Sequence, residues 1–212
     1  MTDITILGAG NMARAIALRA VAAGRNVQIL DRTPEKAAKL AAELGPDASS
    51  GGLDETPGGN IVVFALYFDP AREVASRLGD SLDNKVVVDI SNPINTATFD
   101  SLVVEPGTSA AEEMAKLLPK AQVVKAFNTT FAGPLAEGSL NGKPLDVFIA
   151  GDSEDARNQV AAFVSDAGLR PLQVGALRHA RELEGFQLLV MALQANPAYD
   201  TFNWGTALKV ID

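Results

Sequence analysis

The chain contains no cysteine, and His179 is its single histidine. The absence of cysteine excludes disulfide bonds, thiolate nucleophiles and thiolate metal sites. One histidine likewise excludes a metal centre built from several histidines, so we expect no metal site. His179 falls between two arginines in the last predicted helix, where it is either a packed or surface residue or a proton donor.

Long apolar runs are absent as well. The two longest, at residues 61–68 and 186–193, are far too short to cross a bilayer. No charged-then-apolar leader precedes the first predicted strand, so no signal peptide is expected. These absences lead us to expect a soluble, cytoplasmic protein that makes no contact with a membrane.

Excess positive charge is also lacking, because the 212-residue chain has a formal net charge of −8 at pH 7. An acidic protein is a poor match for nucleic acid or for an anionic membrane, and any bound phosphate must rely on local donors. Apolar residues make up 47% of the chain, which is ample for a buried core. The length suits one domain, or one domain with a short extension.

What the sequence does contain is a glycine turn close to its start. Residues 4–7 are a short apolar run typical of a buried parallel strand, and a helical pattern of apolar residues begins at Ala13. Between them the spacing is Gly-x-Gly-x-x-Ala, in which the second glycine lets the backbone approach a pyrophosphate. The helix N-terminus then offers unpaired N–H groups to the phosphates. We therefore predict dinucleotide binding, rather than an ordinary strand-to-helix turn, at Gly8, Ala9, Gly10, Asn11 and Met12.

The choice of cofactor depends on the end of the second predicted strand. Asp31 lies about 20 residues after the glycine turn, where a carboxylate accepts from a ribose 2′-hydroxyl and favours NAD(H). Arg32 next to it favours the 2′-phosphate of NADP(H), and Thr33 and Lys36 add donors on the same rim. The alternatives are that Arg32 and Lys36 form a solvated basic edge and that Asp31 is a turn residue.

Strand and helix patterns alternate along the rest of the chain. We predict a reduced third strand within residues 45–60 and later strands at 60–66, 85–90, 122–127, 145–151 and 169–174, the last at a sheet edge because Pro171 cannot donate. Helices are predicted at 34–44, 71–78, 109–118, 153–167 and 177–194. The fold class is α/β, a Rossmann-type doubly wound, mostly parallel sheet. We expect a single domain over residues 1–212, with 176–212 as a helical C-terminal extension.

In such a sheet, ligands bind beyond the carboxyl ends of the strands. The residues at those ends include Leu66, Tyr67, Asn92, Pro93 and Asn128, a set poor in acids and bases. We therefore predict no catalytic side chain, because hydride transfer between two planar cofactors needs alignment rather than an acid or base. Asn92 and Asn128 either orient amide groups or simply occupy turns.

Four sequence blocks resemble a known family. They are residues 8–12, 89–93, 125–129 and 175–184, which read Gly-Ala-Gly-Asn-Met, Asp-Ile-Ser-Asn-Pro, Lys-Ala-Phe-Asn-Thr and Gly-Ala-Leu-Arg-His-Ala-Arg-Glu-Leu-Glu. The chain is similar to the reduced-deazaflavin:NADP oxidoreductases (coenzyme F420-dependent NADP reductases), whose fold also forms the cytosolic part of the membrane ferric reductases. The resemblance places pyrophosphate at Gly10, Asn11 and Met12, the 2′-phosphate at Arg32 and Lys36, and nicotinamide along Leu66, Tyr67, Pro93 and Ala126. Family members that bind NADP usually have a small or hydroxyl residue where this chain has Asp31.

Three hypotheses follow. In the first, the protein is an NADP(H)-dependent oxidoreductase that passes hydride to a small-molecule acceptor, a deazaflavin or flavin. In the second, it reduces an imine or carbonyl, as pyrroline-carboxylate reductases and β-hydroxyacid dehydrogenases do. In the third, it is a non-catalytic redox sensor. The apolar stripe of the last helix is interpreted as core, as a homodimer seam or as a wall of the second substrate's site; it comprises Leu183, Phe186, Leu189, Val190 and Leu193.

Overall fold

Short runs of β-branched and other apolar residues form most strands of one large sheet in the computed structural model, which describes residues 1–199, 201–202 and 204–211. The strands are β1 (Ile4–Leu7), β2 (Val27–Asp31), β3 (Ala48–Gly52), β4 (Ile61–Phe64), β5 (Val86–Asp89), β6 (Gln122–Lys125), β9 (Asp146–Gly151) and β10 (Arg170–Gly175). A separate hairpin is formed by β7 (Ser139–Leu140) and β8 (Lys143–Pro144).

The order of strands in the sheet is β10-β9-β6-β5-β4-β1-β2-β3. All neighbours pair in parallel except β6 and β9, which are antiparallel. The order therefore reverses between β1 and β4, which is the switch point where such sheets bind ligands. The prediction of a doubly wound, mostly parallel Rossmann-type sheet is confirmed, with β10 at its edge.

Helices cover both faces of the sheet. They are α1 (Asn11–Ala22), α2 (Pro34–Leu44), α3 (Phe68–Leu78), α4 (Ala110–Leu117), α5 (Ala132–Glu137), α6 (Glu154–Asp166) and α7 (Ala180–Ala195), with short 3₁₀ turns at Gly79–Leu82 and Leu177–His179. One apolar core lies under α1, α2, α5 and α6, and a second lies under α3, α4 and the start of α7. No helix within the described part of the chain is long and apolar enough to span a membrane.

Two regions differ from what the sequence patterns indicate. Residues 131–144, which carry no strong period, fold into α5 and the small hairpin. The C-terminal extension is helical only as far as Ala195, and the described residues beyond it pack back irregularly on the domain. There the buried Asp146 carboxylate accepts from Lys209 Nζ at 2.5 Å, from the Val210 N–H at 2.8 Å and from Arg170 Nε at 2.9 Å.

The residues of the predicted apolar stripe of α7 lie on two faces of the helix, one buried and one exposed. Leu183 and Val190 are buried, whereas Phe186, Leu189 and Leu193 are 46%, 63% and 39% exposed. The buried face also carries polar residues: Glu184, Gln187 and Gln194. Residues spaced by three and four along a helix form neighbouring stripes, so the apolar pattern alone did not show which stripe faces the sheet.

Candidate active site

The glycine turn lies at the switch point of the sheet, at the carboxyl end of β1. Gly8 has a φ of +110°, and a Cβ built there would lie 2.6 Å from the carbonyl oxygen of Ala65. Its N–H donates to the carbonyl oxygen of Leu30 at 2.7 Å. Glycine is required here both by the backbone conformation and by the close approach of the strand next to it.

Gly10, by contrast, faces open space. A Cβ at this position would meet no atom within 4 Å, and the residue serves as the N-cap of α1 with a φ of −84°. No side chain caps the helix, and its first turn carries no acidic residue. The first N–H groups of α1 are thus open to an anion, which is the arrangement that a dinucleotide pyrophosphate needs. The cradle at Gly10, Asn11 and Met12 fits that group.

The carboxylate of Asp31 is directed inward, at the glycine turn. Its Oδ2 accepts from the N–H of Ala9 at 2.9 Å, and its Oδ1 accepts from the N–H of Thr33 at 2.8 Å. Both oxygens therefore hold backbone of the protein itself. Thr33 occupies the N-cap position of α2, but its hydroxyl makes no capping hydrogen bond. Asp31 fixes the end of β2 against the turn after β1.

Arg32 and Lys36 lie on the exposed rim beside this carboxylate. Within the described residues, neither side chain takes part in an ion pair or a hydrogen bond. Both cations are therefore available to a ligand phosphate, which an arginine can bind through two parallel N–H donors.

The amides of Asn92 and Asn128 bind each other across the ends of β5 and β6. Asn92 Nδ2 donates to the backbone carbonyl of Asn128 at 2.9 Å, and Asn128 Nδ2 donates to Asn92 Oδ1 at 3.0 Å. The Oδ1 of Asn128 is buried and has no hydrogen-bond partner among the described residues. Phe127, just before it, is fully buried at a φ of +60°, a conformation that a bulky residue rarely adopts. The structure thus brings these two asparagines together.

The predicted binding residues differ in exposure. Those on the surface are Gly10, Asn11, Arg32, Lys36 and Tyr67, and those half-buried are Ala9, Met12, Asp31, Thr33, Leu66 and Asn92. The buried ones are Gly8, Pro93, Ala126 and Asn128. Ala126 is 0% exposed and belongs to the larger apolar core. No group of three or more histidine, cysteine or acidic residues in the described ranges could hold a metal.

Known proteins are similar to this chain in sequence and in fold. The family described as NADP oxidoreductase coenzyme F420-dependent matches residues 3–93. The F420-dependent NADP reductase of Methanocaldococcus jannaschii is 30% identical over 205 residues, which cover 90% of this chain and 91% of that protein. The chain belongs to the F420-dependent NADP oxidoreductase family. Members of this family that match about 90% of the chain are named F420-dependent NADP reductases.

Two further proteins are similar to this chain. Metalloreductase STEAP3 of Rattus norvegicus is 33% identical over 188 residues, which cover 89% of this chain. This chain spans 37% of the length of that metalloreductase. A crystal structure of the hypothetical protein SMa0349 from Sinorhizobium meliloti has a TM-score of 0.76 at 31% identity, covering 84% of this chain and 86% of that one.

A buried charged cluster in this family member was not predicted from its sequence. Lys125, Asp89 and Glu184 all have fully buried side chains, and Lys125 Nζ lies 2.8 Å from Asp89 Oδ2 and 2.7 Å from Glu184 Oε1. Each residue stands in one of the blocks that carry the family resemblance. The available signal was an ionisable residue within an apolar strand or helix face, which is rarely buried unless it is paired.

Burial and pairing act in opposite directions in this cluster. Burial alone would lower the pKa of Lys125, but Asp89 and Glu184 hold that pKa above its ordinary value. Burial raises the pKa of Glu184, and the charge of Lys125 offsets part of that rise. Lys125 is therefore a cation and a hydrogen-bond donor, not a general base.

His179 plays no part in this cluster. It ends the turn before α7, and its Nδ1 lies 3.5 Å from an oxygen of the exposed Glu182. The side chain is about one third exposed. His179 is thus a partly exposed residue that contacts a neighbour three residues along the chain.

Proposed function

We propose that the protein is an NADP(H)-dependent oxidoreductase that passes hydride between the nicotinamide and a deazaflavin or flavin-like acceptor. The observation that carries the cofactor choice is the pair of exposed cations next to Asp31. Each oxygen of Asp31 already accepts one backbone N–H, from Ala9 or from Thr33, so the carboxylate is directed at the glycine turn and away from Arg32 and Lys36. Arg32 and Lys36 beside it then meet the 2′-phosphate that distinguishes NADP(H) from NAD(H).

The chain's own residues bind and orient in this account. The N–H groups at the start of α1 hold the pyrophosphate, and Asp31 keeps the glycine turn in place. Leu66 and Tyr67, beyond the end of β4, would lie against the nicotinamide, and the Asn92–Asn128 pair, beyond β5 and β6, would border it. Bound NADPH supplies the hydride, so the side chains need supply neither acid nor base.

The acceptor is proposed from the relatives and from the composition of the site. The reductase of Methanocaldococcus jannaschii, which matches nearly end to end, is named as F420-dependent, and coenzyme F420 is a deazaflavin. The acidic and basic side chains at the described ends of β5 and β6, Asp89 and Lys125, are fully buried and paired with each other, which suits transfer between two planar rings without a side-chain acid or base. Relation to this family does not favour an imine or carbonyl reductase.

The direct test is the oxidation of NADPH in the presence of coenzyme F420, riboflavin or a ferric chelate. We expect turnover with the deazaflavin or with the flavin, because each presents a planar ring to the nicotinamide. Turnover with the ferric chelate alone would instead indicate an activity like that named for the metalloreductases. Tight NADP⁺ binding without oxidation of NADPH by any acceptor would contradict the proposal and favour the redox sensor.

A second copy of the chain is the partner proposed for α7. The outward residues Phe186, Leu189 and Leu193 form an apolar stripe along this helix. Exposed apolar stripes of this kind are typical of interfaces between subunits. The proposal is that two such helices pack against each other in a homodimer.

A further inference from the structure

The ammonium group of Lys125 has three oxygen partners. It donates to Asp89 Oδ2 at 2.8 Å and to the backbone carbonyl oxygen of Ser91 at 2.5 Å, and it forms an ion pair with Glu184 Oε1 at 2.7 Å. Asp89 uses its other oxygen, Oδ1, to accept from the N–H of Ser91 at 2.9 Å. The cluster thus binds both the N–H and the carbonyl oxygen of Ser91, which lies between the end of β5 and Asn92.

The far side of the cluster is tied to two helices. Glu184 projects from α7, and its Oε2 accepts from the N–H of Ala110 at 2.9 Å, in the first turn of α4. A second, longer contact joins Glu184 Oε1 to the N–H of Ala111 at 3.4 Å. Glu184 thereby satisfies donors of α4 that have no partner inside the helix. Lys125 thus connects the turn at Ser91 to the ends of two packed helices.

Stability alone does not account for this arrangement. Removing ionised groups from water is costly, and apolar residues of similar size often replace a buried ion pair without loss of stability. Unlike an apolar cluster, a charged cluster makes directional hydrogen bonds, and each of these holds a particular backbone group in place. The backbone next to it requires such fixing, since Phe127 is held at a φ of +60° and strained conformations persist only when their surroundings determine them.

We propose that Lys125 is a positioning residue for the nicotinamide half of the cofactor. It holds Ser91, and through Ser91 it sets the Asn92–Asn128 pair, without touching the cofactor itself. The proposal rests on the function proposed above, because it requires that NADP(H) extends from the glycine turn to the ends of β5 and β6. The adenosine half binds at Arg32 and α1, on the other side of the switch point, and is independent of Lys125.

The test compares two ligands by calorimetric titration: NADP⁺ and adenosine 2′,5′-bisphosphate, which lacks the nicotinamide half. Lys125→Met should weaken NADP⁺ binding by about tenfold, the loss expected from one or two hydrogen bonds, and leave bisphosphate binding within about twofold. Lys120→Met is the matched control, because Lys120 is 65% exposed and pairs with Asp83 away from the strand ends that bind cofactor. It should change neither affinity.

A milder variant keeps the proposal testable if Lys125→Met does not fold. Glu184→Gln retains the shape and an acceptor oxygen, so the fold should persist while NADP⁺ binding weakens by about threefold and bisphosphate binding does not change. Equal losses for the two ligands, or no loss for either with a lowered Tm, would show that the cluster is only structural. If wild-type protein binds neither ligand, the proposed function fails instead.

Discussion

At the scale of single residues, the two glycines of the turn have separate roles that the structure distinguishes. Gly8 is confined by its positive φ and by the carbonyl oxygen of Ala65, so its constraint comes from the protein. Gly10 has an ordinary φ and empty space where a side chain would be, so the described protein does not itself require glycine there, and we propose that the bound pyrophosphate does. The same substitution at the two positions should therefore affect different properties.

Gly8→Ala should lower the free energy of unfolding by about 2–5 kcal/mol, the sum of backbone strain and steric overlap. Gly10→Ala should leave that free energy within about 0.5 kcal/mol of wild type, as expected for a surface change. It should nevertheless weaken NADP⁺ binding by at least about tenfold, because the new methyl group occupies the approach of the pyrophosphate. Urea denaturation and calorimetry measure the two effects. Unchanged NADP⁺ affinity in a folded Gly10→Ala protein would remove the pyrophosphate from this turn.

The positions of these residues could be predicted from sequence, but the bonding of Asp31 could not. A glycine turn between an apolar run and a helix is a local pattern, and a carboxylate after the second strand follows at a known spacing. Whether that carboxylate turns toward ribose or toward backbone depends on the distance between two neighbouring strand ends. The residue pattern of neither strand indicates how far apart the two strand ends lie.

At the scale of elements, helix and strand periods located most of the sheet but not the contacts between distant elements. Lys125, Asp89 and Glu184 lie on two strands and a helix far apart in the chain, so their pairing depends on strand order and helix docking. For the same reason, the sequence does not show which side of α7 faces the rest of the protein. Its neighbouring stripes are both rich in apolar residues, and only the packing against α4 selects between them.

The C-terminal segment after α7 is an element without regular structure, held by Asp146. Burial would raise the pKa of Asp146, but Lys209, the N–H of Val210 and Arg170 hold that pKa below its ordinary value of 3.8. A carboxyl group with a lowered pKa stabilises the fold above its unfolded pKa, and this stabilisation is lost as the pH falls through the folded pKa. The segment should therefore loosen only in acid.

Asp146→Asn should lower the free energy of unfolding at pH 7 by about 1–3 kcal/mol, because charge-assisted hydrogen bonds are lost. The difference from wild type should shrink as the pH falls below 4, since wild-type Asp146 is then protonated. Urea denaturation at a series of pH values measures both effects. Asp54→Asn, at an exposed aspartate, is the control. A difference that stays constant from pH 7 down to pH 3 would contradict this account of Asp146.

At the scale of the whole molecule, the proposed homodimer depends on the outward stripe of α7. Leu189 is 63% exposed near the middle of this stripe. Leu189→Glu should convert the dimer to a monomer, because an unpaired charge would be buried in an apolar interface. Sedimentation velocity measures the change, and Val103→Glu, at an apolar residue that is 56% exposed elsewhere, should leave the dimer intact. A wild-type protein that is monomeric at micromolar concentration would contradict the proposal.

The central claim for the whole molecule is that it holds NADP(H) with its 2′-phosphate at Arg32. Calorimetric titration of wild type, Arg32→Ala and the control Arg178→Ala with NADP⁺ and NAD⁺ tests that claim most directly. We predict that Arg32→Ala weakens NADP⁺ binding by about tenfold to a hundredfold, as loss of a charge-assisted hydrogen-bonded pair implies, and leaves NAD⁺ binding unchanged. The claim is contradicted if wild type binds NAD⁺ at least tenfold more tightly than NADP⁺ and Arg32→Ala changes neither affinity.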